Sequence, residues 1–101
     1  MSYIDIERAQ KLAQFVPLNE RVKLLNLVID ACGGNISKAA KEIGITRAQI
    51  YRYVGRTERK DLPSDEIFAR IIVAAYRLRP LQTQEFFRFI LKQVRDLFSR
   101  I

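Results

Sequence analysis

The residues with the clearest chemical purpose lie close together: Thr46, Arg47, Ala48, Gln49, Tyr51 and Arg52. A helix advances about 100° per residue, so with Ile50 as the inward reference Ala48 and Arg52 lie about 160° away. Gln49 and Tyr51 flank them at about 100°, and Arg47 sits in the first turn beside Thr46. This outward side holds no carboxylate. Arginine can donate two hydrogen bonds to a guanine edge, glutamine can pair with adenine, and alanine or a threonine methyl can pack on the thymine methyl. These six residues are therefore the candidate readers of base edges in the major groove of double-stranded DNA.

Residues 35–55, NISKAAKEIGITRAQIYRYVG, supply the elements that position them. The run reads as two short helices joined by a turn at Gly44, where a residue without Cβ takes a left-handed conformation freely. Ala40, four residues earlier, leaves room for the second helix to cross closely. Ala39, Ile43, Ile45, Ile50 and Tyr53 recur at spacings that give both helices one apolar seam. Thr46 is the expected N-cap of the second helix, and Gln49 completes a Thr-x-x-Gln capping box. Tyr53 lies on the seam, which favours a packed ring over a stacking platform.

Charge supports the same surface independently. The chain holds 18 basic and 11 acidic side chains, a net +7. Residues 1–35 are balanced at four of each sign, residues 36–60 carry seven basic against two acidic, and residues 61–101 carry seven against five. The excess thus concentrates around the two-helix run, as neutralisation of phosphates and release of counterions require. Lys38 and Lys41 on the first helix and Arg56, Arg59 and Lys60 in the stretch beyond Gly55 are the candidate phosphate contacts. The bland counterpart is a solvated polar face and loop.

The remainder of the composition narrows the field. With no histidine and one cysteine, Cys32, the chain lacks the usual general base, the Ser-His and Cys-His arrangements and a thiolate cluster. Asp5 and Glu7, two apart on a helix, face different ways and suit solvent better than a metal. Gly33-Gly34 lacks the GK[ST] of a phosphate loop and reads as a helix end before the N-cap Asn35. We expect no enzyme activity, cofactor, metal or small-molecule ligand. No apolar run approaches the roughly 20 residues of a membrane span, and the N-terminus lacks the order of a signal peptide. A cytoplasmic protein is expected, associated with the nucleoid if prokaryotic.

Every glycine and proline falls between periodic segments, which predicts an all-α, single-domain bundle of about six helices over residues 1–101. The first spans about 3–15 with Ile4, Ala9, Leu12, Ala13 and Phe15 as its apolar members. The second spans about 19–32 with a stripe of Val22, Leu25, Val28, Ile29 and Cys32. After the two helices of the run, a fifth begins at the N-cap Ser64 with Asp65 and Glu66 in its first turn. Its stripe is Phe68, Ile71, Ile72 and Ala75. The sixth, about 81–101, carries Phe87, Ile90, Leu91, Val94, Leu97, Phe98 and Ile101 on one side, with Phe89 isolated among charges. That helix is a candidate dimerisation element through Phe86, Phe89, Ile90, Val94 and Leu97, and packing inside one chain is the alternative.

The order Ser37, Ala39-Ala40, Gly44-Ile45-Thr46, Ile50, Gly55 and Pro63-Ser64, over about residues 34–76, resembles the helix-turn-helix of phage-repressor-like (Cro and C1-type) proteins. The stretch GGNISKAAKEIGITRAQIYR also resembles the DNA-binding helices of the Fis family. Either resemblance implies that the helix at residues 46–54 enters the major groove. Both leave the outer helices unexplained: the basic stretch from Gly55 to Leu62 is longer than repressor-like loops, and Fis proteins end soon after the reading helix. The expected function is sequence-specific binding of double-stranded DNA by a homodimer, as a transcriptional regulator or chromosome-organising factor. The alternatives are a DNA-recognition part of a recombinase, transposase or replication system, and a protein-interaction adaptor or antitoxin-like binder. The reader helix lacks the large aliphatic anchors that the last would use.

Overall fold

The computed structural model describes residues 3–55 and 61–99. Among these residues six α-helices and one short 3₁₀ turn make up the regular structure, and there is no strand. The helices are α1 (Ile6–Ala13), α2 (Arg21–Ala31), α3 (Ile36–Ile43), α4 (Arg47–Tyr53), α5 (Asp65–Leu78) and α6 (Pro80–Ser99), with the 3₁₀ turn at Leu18–Glu20 before α2.

Local side chains explain most of these limits. Asp5 caps α1 by accepting from the Arg8 N–H at 2.8 Å, so the helix starts later than its apolar spacing alone suggests. It also stops earlier, at Ala13. Val16 turns inward in place of Phe15, which lies 69% exposed instead of joining the apolar face expected of it. Asn35 and Ser64 cap α3 and α5 through the N–H groups of Lys38 and Ile67. Pro80 opens α6, a position where its missing N–H leaves no helical bond unmade.

The core is organised around α5. Phe68, Ala69, Ile71, Ile72, Ala74 and Ala75 are all buried, which covers most of its circumference. The alanines let α1 approach closely with Ala9 and Ala13, while Leu24, Leu25 and Val28 of α2 fill the neighbouring side. Burying a Leu, Ile or Phe side chain stabilises by about 1.5–3 kcal/mol, so this cluster is the main source of stability.

Arg21 fastens the junction of three elements. Only 3% exposed, its guanidinium donates to Ala13 O at 2.9 Å, Val16 O at 3.1 Å and Pro63 O at 3.0 Å. It also pairs with Asp65 at 2.7 Å and lies 5.1 Å from the Phe68 ring centroid. A buried cation here is tolerated because carbonyls occupy its donors.

The last helix behaves differently along its length. Thr83 and Ile90 are buried, Phe86 and Phe87 pack edge to face at 5.2 Å and lie half-buried against the core. The Thr83 hydroxyl donates at 2.8 Å to the carbonyl of Arg79, the residue that joins α5 to α6, which satisfies it. Beyond Ile90 the apolar stripe continues without a floor: Leu91, Leu97 and Phe98 are 56%, 63% and 73% exposed. Three of the expected interface residues therefore have contacts within the chain, Phe86 among them. Ile90 is core, and Phe89 lies 5.2 Å beneath the Lys23 ammonium of α2, a cation–π contact that accounts for an aromatic ring among charges.

Candidate nucleic-acid interface

The turn between α3 and α4 adopts the geometry that the sequence demands. Gly44 has φ +86°, and its N–H and that of Ile45 both return to Ala40 O, at 2.8 and 3.0 Å. Thr46 then caps α4: its hydroxyl accepts from the Gln49 N–H at 3.1 Å, and Gln49 Oε1 accepts from the Thr46 N–H at 2.9 Å. Ile50 and Tyr53 are buried, and Ile45 packs partly against the same cluster. One face of α4 is thereby committed to the core.

The opposite side carries the expected readers, with differences. Thr46, Arg47 and Ala48 are exposed, while Tyr51 is half-buried. Gln49 is engaged: its Oε1 accepts from both the Thr46 N–H at 2.9 Å and the Thr46 hydroxyl at 3.2 Å. An adenine contact by Gln49 requires giving these bonds up. Arg52 is also half-buried, and its Nε is shielded with no partner among the described residues. The chain closes back at this point, because the Asp61 N–H donates to Arg52 O at 3.2 Å. The side that is freely presented is thus the first turn of α4.

Electrostatics agree with an anionic partner. Lys38 and Lys41 are exposed on α3. Glu42, the nearby acidic residue of that helix, pairs with Arg77 of α5 at 2.6 Å, so its charge is compensated. Arg56, Arg59 and Lys60 lie outside the described residues. Burial pushes the Tyr53 phenol above its ordinary value; the neighbouring Gln49 side chain opposes that, Asp61 adds to it and Arg52 opposes it. The tyrosine is a packed, neutral prop for α4. Among the described residues no three acidic or cysteine side chains converge as a metal site would need.

Residues 23–52 match the family model of the bacterial regulatory protein, Fis family. The unit is a Fis-like helix-turn-helix DNA-binding domain. Of the two resemblances drawn from the sequence, the match falls on this one, and it covers under a third of the chain. No curated protein and no solved structure matches the chain. The Fis-like unit begins in α2, earlier than the run at residues 35–55 that suggested it. The signal for including α2 was the short Gly33-Gly34-Asn35 link, which leaves α2 and α3 little freedom to separate. Also missed were Arg21, Arg70 and Arg77, whose partners are far away in sequence.

Proposed function

We propose that the protein binds double-stranded DNA sequence-specifically through α4 and acts, without catalysis, as a transcriptional regulator or chromosome-organising factor. The observation that carries this reading is the first turn of α4: Thr46, Arg47 and Ala48 exposed on a Fis-like unit, with Lys38 and Lys41 exposed on the helix before it. In this reading Arg47 reads a guanine edge, the Thr46 and Ala48 methyl groups meet thymine, and the two lysines hold phosphates. Tyr51 and Arg52 border the surface, and Gln49 holds its shape. Selection from a random duplex pool followed by titration at rising salt tests the proposal. Arg47→Ala should weaken the selected site by about 1–3 kcal/mol and random duplex much less, whereas Lys38→Ala should weaken both alike and reduce the salt slope by about one. Equal losses for Arg47→Ala on both duplexes, or affinity indifferent to salt, would remove the basis for a reading helix.

The proposal includes a homodimer that places two copies of α4 about 34 Å apart on an inverted repeat. The supporting feature is the unpacked end of α6, where Leu97, Leu91 and Phe98 continue the stripe beyond the core and Val94 is half-buried beside them. Sedimentation at micromolar concentration should report twice 11.8 kDa. A persistent monomer with and without duplex would overturn the dimer while leaving DNA binding intact.

A further inference from the structure

The Fis-family match ends at residue 52, before α5, yet α5 reaches back to the corner from which α4 departs. Arg70 Nη1 donates to Gly44 O at 3.0 Å. Arg77 Nη2 reaches Glu42 O at 3.3 Å and the Glu42 carboxylate at 2.6 Å. Seven residues on a helix is about 700°, within about 20° of two full turns, so both arginines project from one face. Their targets are carbonyls that the end of α3 leaves without a helical donor, and two cations there also suit the negative end of the helix. Glu66 lies 3.5 Å from Arg70 one turn earlier, holding its guanidinium over the turn.

We propose that Arg70 and Arg77 are positioning residues that set the angle at which α4 is presented to DNA. The proposal rests on the DNA-binding reading and adds to it what determines specificity. Gly44 has the widest backbone freedom of any residue, and it is the pivot. The reading side chains of the first turn of α4 lie about 5–10 Å from that pivot, so a rotation of about 10° moves them by about 1–2 Å. Base-edge hydrogen bonds tolerate only about 0.5 Å. Holding the Gly44 carbonyl therefore matters more for recognition than for stability. The side chains of Arg70 and Arg77 are 42% and 47% exposed, so their ion pairs add little to folding.

The test compares Arg70→Met, Arg77→Met and Arg70→Lys in the full chain, using a selected duplex and a random duplex. The methionine variants should lower the ratio of selected to random affinity at least tenfold and leave the melting midpoint almost unchanged. Arg70→Lys, which keeps a donor for one carbonyl, should recover most of the ratio. Amide hydrogen exchange of the free protein provides a readout independent of DNA: Ile50 and Tyr53 should exchange at least tenfold faster in the methionine variants, with Leu25 and Val28 of α2 unchanged. An unaltered ratio overturns the proposal, as does a large fall in melting midpoint with exchange raised equally in α2 and α4. Should the unsubstituted protein bind no duplex, the DNA-binding reading fails, and the exchange of Ile50 and Tyr53 alone decides whether the arginines hold α4.

Discussion

Arg21→Ala removes a guanidinium that donates to three backbone carbonyls, two from the end of α1 and its turn and one from the entry to α5. Hydrogen bonds from a charged group contribute about 1.5–3 kcal/mol each, but part of that offsets the desolvation of the buried cation. Removing the cation leaves no buried charge behind, but it strips donors from buried carbonyls, at about 1–3 kcal/mol each, and removes the stem and guanidinium packed over Phe68, so about 3–5 kcal/mol is the range expected. Asp65 adds little, because its side chain is 61% exposed and solvent screens the pair. At about 4–8 °C per kcal/mol for a domain of this size, the melting midpoint should fall by at least about 12 °C. Far-UV circular dichroism during heating, with urea titration to confirm an unchanged m value, measures the loss. Asp65→Asn is the control and should cost under about 1.5 kcal/mol, including its place in the first turn of α5. If Arg21→Ala melts within a few degrees of the parent, or loses no more than Asp65→Asn, the buried guanidinium does not join α1, α2 and α5 as described.

Gly44→Ala should destabilise by about 1–2 kcal/mol through backbone conformation alone, since φ is +86° and an added Cβ meets no atom within 4 Å; an unchanged urea midpoint would contradict this. Tyr53 has a pH consequence whose sign follows from its raised phenol. The unfolded tyrosine ionises near pH 10 while the folded one stays protonated, so the folded state binds more protons and stability falls as pH rises above about 10. Urea midpoints between pH 8 and 11 should decline less steeply in Tyr53→Phe, and parallel curves would show that the phenol is not linked to folding.

What could be read from the sequence depended on distance along the chain. Gly44, Thr46 and Gln49 determine one another within five residues, so the turn, the cap and the start of α4 were all legible. Ser64 and Asn35 were legible for the same reason, as caps act on the next turn. Arg21 was not, because its acceptor at Pro63 is 42 residues away and nothing local marks an arginine as buried. Phe89 misled in the opposite direction: helical angle placed it correctly on the charged side, but the Lys23 ammonium that covers it comes from α2. Gln49 shows the limit within the site itself. Its outward angle and its capping role were both legible, and the structure spends its oxygen on the cap.

The central position of α5 has a consequence for a chain still being synthesised. All of α2, α3 and α4 precede it, and 25 residues separate Tyr53 from Leu78. At about 5–20 residues per second, translation takes about 1–5 s to cover that interval. Throughout it Leu24, Leu25 and Val28 lack the helix that covers them, and Gly44 lacks Arg70. The helix-turn-helix is made before the helix that covers it and holds its corner, so the newborn motif is sticky and loosely held until the ribosome has delivered α5.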